Sequence, residues 1–144
     1  DNVEIIYGGP VPVVEAEPTP PVADLTLVRR MGQFGTLFEA VVHDETVAYC
    51  ECVTDLTKGG RLPNLAGWAE VAEVGTQTHW RGKGIGTWLL THVNIWLTLG
   101  GYTRVAICVA RDDYDNGAGR FYERFGWKEL FRIRKPYTWR PRFE

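Results

Sequence analysis

The chain has 144 residues, a length that suits one compact domain, and its 44% apolar and 24% charged residues supply both a core and a solvated surface. Twelve per cent of the residues are aromatic, six of them Trp, which argues against disorder, and the formal net charge of −2 gives no reason to expect nucleic acid or an anionic membrane as a partner. There is no apolar run of about 18 residues to span a bilayer, and Asp1-Asn2-Val3-Glu4 has neither the basic start nor the apolar stretch of a signal peptide.

Residues 1–24 hold five of the eight prolines (Pro10, Pro12, Pro18, Pro20, Pro21) and no Lys or Arg. Val3 to Tyr7 is a strand candidate. The rest reads as an extended, proline-rich arm or linker, with the folded domain over 25–144. Leu25 to Arg30 alternates as a strand does, and Thr36–Val42 and Thr46–Val53 flank His43-Asp44-Glu45 as a hairpin. Lys58-Gly59-Gly60 and Pro63-Asn64 mark a loop. Trp68 to Thr76 is a further strand, with Val71 and Glu73 on one face and Ala72 and Val74 on the other.

A helix follows, with an apolar stripe of Ile85, Trp88, Leu89, Val93 and Trp96 and a stop at Gly100-Gly101. Tyr102–Ala110 is apolar and β-branched enough for a buried central strand. A short helix is expected over 117–125, then a strand over Trp127–Ile133, with an irregular end from Pro136. This order implies an α/β sandwich around a mixed sheet. The three cysteines (Cys50, Cys52, Cys108) are odd in number and lack framework spacing, so a reducing, cytoplasmic setting is expected. Cys50 and Cys52 share one strand face and read as small core residues; with His43 the nearest further ligand, no metal site is expected.

The sharpest feature is Arg81-Gly82-Lys83-Gly84-Ile85-Gly86 between a strand and an amphipathic helix. A helix N-terminus presents unpaired N–H groups and partial positive charge. Glycines let an anion approach those groups, and Arg81 and Lys83 add charge, so the loop predicts a phosphate or pyrophosphate site. Neither the G-x-x-x-x-G-K-[ST] nor the G-x-G-x-x-G spacing is present.

The stretch Thr76 to Leu90, built on R-x-x-G-x-G, closely resembles the acetyl-CoA signature of the GNAT acetyltransferases. A second stretch, Asn116-Gly117-Ala118-Gly119-Arg120-Phe121-Tyr122-Glu123-Arg124-Phe125-Gly126-Trp127, resembles the family's closing N-x-x-A-x-x-x-Y-x-x-x-G-F, with Trp127 where Phe is usual. The resemblance implies a mixed, mostly antiparallel sheet with flanking helices and an acetyl-CoA-dependent N-acetyltransferase as its activity. It assigns cofactor contacts to the loop (Arg81, Gly82, Lys83, Gly84, Ile85, Gly86, Thr87), to the backbone of Val74, Gly75 and Thr76, and to Asn116, which contacts the cofactor or orients the short helix.

Acetyl transfer to an amine needs a neutral amine. A Lys-like amine with pKa ~10.4 is only about 0.04% neutral at pH 7, a handicap of roughly 4–5 kcal/mol that a base or the pocket must remove. Glu73 is the first candidate base. Glu70 is the second, on the opposite face unless a bulge intervenes. The resemblance assigns Tyr122 as the acid that protonates the departing thiolate. His79, in the loop, is a weaker candidate for contact with phosphate or acceptor, and His92 reads as a helix boundary residue. The basic residues Arg132, Arg134, Lys135, Arg140 and Arg142 read as a solvated face.

The family places helices between its first two strands, whereas only residues 31–35 separate Arg30 from Thr36 here. The N-terminal helices are therefore expected to be reduced. The acceptor side is left open, covered by the arm, or completed by an upstream domain or a second subunit. The missing initial Met and the proline-rich start read as a domain following another, as in a tandem protein. A small-molecule or peptide amine is the expected acceptor. Asp112, Asp113, Asp115, Glu70 and Glu73 favour a cationic one. A non-catalytic acyl-CoA-binding or structural domain, and transfer of an acyl group longer than acetyl, are the competing expectations.

Overall fold

A computed structural model describes residues 3–54 and 68–134; the expected loop at 58–64, the end beyond Pro136, and Lys135, Arg140 and Arg142 lie outside the described residues. Among the described residues, seven strands and three α-helices run in the order β1 (Val3–Pro10), β2 (Leu25–Met31), β3 (Thr36–Val42), β4 (Glu45–Val53), β5 (Ala69–Thr76), α1 (Ile85–Leu99), β6 (Arg104–Ala110), α2 (Arg111–Asp115), α3 (Ala118–Glu123) and β7 (Lys128–Arg134). They form one sheet ordered β2-β3-β4-β5-β6-β1-β7. The pairs are antiparallel except β5 with β6, so the expected mixed, mostly antiparallel α/β sandwich is what forms.

The β3–β4 hairpin turns through His43 and Asp44, both with positive φ (48° and 65°). That is the backbone hand that matches the twist of paired strands. Helix α1 buries Ile85, Trp88, Leu89, Val93 and Leu97 on one sheet face against Phe38, Cys50, Cys52, Val71 and Ile107. Trp96 stands at the margin of that stripe with its ring 5.2 Å from Phe38. Cys50 and Cys52 are both buried in this core. Burial pushes both thiols up, Cys52 to about 12, so they pack as neutral small side chains.

The turn from β2 to β3 is held from across the sheet. The fully buried Glu51 carboxylate accepts the backbone N–H groups of Phe34 and of Gly35, the latter at 2.8 Å. Glu51→Ala strands these donors, a loss of about 1–3 kcal/mol. A urea unfolding midpoint lowered in proportion, with unchanged slope, is the expected result.

Two expectations need correction. The strand candidate Val3–Tyr7 forms and runs on to Pro10, but it belongs to the folded domain and not to a separate arm over 1–24: β1 lies antiparallel between β6 and β7, and its residues from Glu4 to Gly9 are buried. An apolar segment has its N–H and C=O groups satisfied on both edges there, and the Trp127 indole N–H donates to the Pro10 carbonyl at 2.9 Å. The irregular arm is thus 11–24. It starts at Thr103, whose carbonyl accepts the Val11 N–H. It ends beside the glycine loop, where Pro21 packs against Gly84.

The second correction concerns β5. Its register against β4 pairs Glu51 with Glu73 but Cys52 with Val71, so Ala72 is an extra residue, a bulge. Val71 and Glu73 therefore do not share a face. The positions of Glu70 and Glu73 do.

Candidate functional site

The cleft arises from how β5 and β6 pair. Their parallel ladder spans only Ala69–Val71 against Val105–Ile107. The remaining halves diverge, leaving an opening of about 660 Å³ lined by Val74, Gly75 and Thr76 of β5, by Cys108 and Val109 of β6, and by residues of the glycine loop and of α3. Beyond the ladder the backbone of Val74–Thr76 pairs only with β4 among the described strands.

At one end stands the start of α1. Gly82 and Gly84 adopt φ of +75° and +83°, conformations that non-glycine residues rarely take. A Cβ at Gly82 would meet nothing within 4 Å. Gly84 is the N-cap residue and supplies no side-chain cap. The first N–H groups of the helix are left for a ligand, and the residues present fit an anion there.

Arg81 folds back so that its Nε donates to the Thr76 carbonyl at 3.2 Å. Gln77 ties the loop to β4 through its N–H to the Val47 carbonyl (2.9 Å) and its side-chain amide to the Thr46 carbonyl (2.6 Å). Of the predicted contacts, Val74, Gly75, Thr76, Arg81, Gly82, Gly84, Ile85, Gly86, Thr87 and Asn116 line the cleft together. Lys83 is exposed and outside that lining.

The same cleft is lined by Tyr122 of α3, buried among Phe121 and Trp127 at ring separations of 5.1 and 6.2 Å. Burial above all, then Cys50 and Asp113, drives its phenol well above the usual value of 10. It is neutral at any working pH. Asp113 also lines the cleft. Burial and Asp112 raise its carboxyl while Arg81 opposes the shift. Arg81 and Asp113 both belong to elements that sequence periodicity did not resolve: a 3₁₀ turn at Thr78–Trp80 leads into Arg81, and α2 carries Asp113.

Glu70 is 0% exposed and its Oε1 accepts from the Cys108 thiol at 3.6 Å. It thus reaches the cleft through Cys108. Nothing beyond its register is described for Glu73. His79 is exposed and lies beside Trp80, ring to ring at 5.8 Å. His92 packs edge-on to Trp88 at 4.7 Å, and its burial lowers its pKa.

Missed by sequence reasoning is Tyr7 of β1, whose ring lies 6.2 Å from Tyr122. The signal available was Gly119, a residue without a side chain three before Tyr122 on the same helix.

A family model described as the acetyltransferase (GNAT) domain matches residues 33–129, and the chain belongs to that family. Among solved structures, the chain is similar to the GCN5-related N-acetyltransferase of Sphaerobacter thermophilus, at 18% identity and TM-score 0.65 over 90% of this chain and 49% of that one. It is similar to the enzyme of that class from Kribbella flavida at 17% identity and TM-score 0.60, over 94% of this chain and 59% of that one. The glucosamine N-acetyltransferase region of a fungal multi-domain GH3 β-N-acetylglucosaminidase aligns at 18% identity and TM-score 0.65, over 93% of this chain and 20% of that one. The chain thus spans about half the length of the first two. Curated proteins gave no significant match.

Proposed function

We propose that this domain is an acetyl-CoA-dependent N-acetyltransferase that passes the acetyl group directly to a primary amine held in the same complex. One observation carries the proposal: a single cleft joins an uncapped, glycine-lined helix start to a buried neutral phenol. When bound, acetyl-CoA supplies an acetyl group activated as a thioester.

The protein's residues do the rest. The amides of Gly82 to Thr87 hold the pyrophosphate, and Arg81 adds charge beside them. The β6-facing edge of Val74–Thr76 offers backbone groups to an extended amide-bearing chain, and an N–H at Val74 or Thr76 stabilises the oxygen that gains charge. Tyr122 donates a proton to the departing sulfur. A carboxylate at Glu73 or Glu70 accepts the proton of the amine, and the bulge at Ala72 supports either, because it puts both positions on one face. Asp113 in the cleft wall and the buried Glu70 favour a cationic acceptor.

The test is CoA-thiol release from acetyl-CoA with spermidine, glucosamine and a lysine-containing peptide as acceptors, with acetylated product confirmed by mass. Turnover of any of these amines supports the reading. Tight acetyl-CoA binding with no amine acetylated would overturn it in favour of a non-catalytic acyl-CoA-binding domain.

A further inference from the structure

Tyr7 belongs to the N-terminal strand, far in sequence from the site, yet it is 3% exposed and lies against both short helices. Its ring is 6.4 Å from Tyr114 of α2 and 6.2 Å from Tyr122 of α3. A Cβ built on Gly119 would overlap the Tyr7 hydroxyl oxygen and lie 3.0 Å from its Cζ. The hydroxyl end of Tyr7 therefore fills the space that any other residue at 119 would claim. Gly119 and Tyr122 are three apart on α3, so they share one face of the helix.

We propose that Tyr7 is a positioning residue for Tyr122: wedged onto Gly119, it sets the depth of α3 and so where the Tyr122 hydroxyl meets the cleft. This rests on the proton-donor reading of Tyr122. Burial, with Tyr114, Glu123 and Glu129 nearby, raises the Tyr7 phenol against the opposing pull of Arg132, so the wedge is uncharged. The pairing also accounts for glycine at 119, since the strand brings its own side chain to that place.

The test is a mutant cycle read by CoA-thiol release from acetyl-CoA, with spermidine as acceptor and with water alone. Tyr7→Leu is expected to slow release ~10–100-fold while the acetyl-CoA dissociation constant changes less than ~3-fold. In the Tyr122→Phe background the same change should cost less than ~2-fold, because two residues acting through one hydroxyl are not additive. Gly119→Ala should slow release comparably, and adding Tyr7→Leu to it should restore the rate to within ~3-fold of the starting protein, the methyl filling the vacated space.

Equal cost of Tyr7→Leu in both Tyr122 backgrounds would overturn the proposal while leaving the role of Tyr122 intact. A silent Tyr122→Phe would remove the proton-donor reading and the positioning role with it. Should Tyr7→Leu fail to fold, Tyr7→Phe, which removes only the hydroxyl on Gly119, carries the same cycle.

Discussion

Gly84→Asp is expected to raise the acetyl-CoA dissociation constant by roughly 10²–10³-fold, the scale of bringing one more like charge to within a few ångströms of a partly solvated anion. Two costs combine at this position. The backbone sits at φ +83°, where a side chain is strained, and a Cβ there would lie 3.3 Å from the Cβ of Pro21. The carboxylate then competes for the N–H groups that the pyrophosphate needs. It does not threaten α1 itself, because an anion at a helix N-terminus is favourable to the helix. Gly84→Asn separates the two costs, since Asn tolerates positive φ better than most residues and brings no charge. It is expected to lose far less affinity than Gly84→Asp, at a thermal midpoint close to that of the starting protein. Equal losses would mean that shape and not charge governs the loop.

Tyr122→Phe is expected to lower kcat about 10²–10⁴-fold, the usual range for losing a general acid, with acetyl-CoA affinity unchanged. The pH dependence follows from burial. The folded phenol titrates above its ordinary value of 10, so it holds its proton throughout the range in which the domain would be assayed. The deficit of Tyr122→Phe should therefore be constant from about pH 6 to about pH 10. An alkaline limb in the rate of the starting protein within that range belongs to another group. A kcat ratio that shrinks steadily as pH rises toward 10 would show that Tyr122 is ionising there and would contradict the environment described for it.

The glycine loop, α1, the β3–β4 hairpin and Tyr122 were legible because local rules govern them: helical periodicity, turn chemistry and motif spacing. What was not legible depends on partners distant in sequence. Val3–Pro10 could be read as a short apolar strand, but its place between β6 and β7 is set by edges about 100 and 120 residues further on. The prolines that follow it gave the whole segment the look of a linker. The bulge at Ala72 is a property of register against β4, and alternation along β5 alone cannot reveal an extra residue. Gly119 was visible as a glycine inside the expected short helix, yet its reason lies in Tyr7, which no spacing rule connects to it. Helix α2 is a single turn of Arg-Asp-Asp-Tyr-Asp, too short for periodicity and rich in residues that also favour turns.

The central claim is that the cleft between β5 and β6 is an acyl-CoA site, and titration calorimetry of the 144-residue chain with acetyl-CoA and with CoA tests it most directly. The account predicts saturable, one-to-one binding of both at micromolar strength, lost in Gly84→Asp and retained in Tyr122→Phe. Binding that Gly84→Asp leaves unchanged, or no binding by the folded chain, would contradict it.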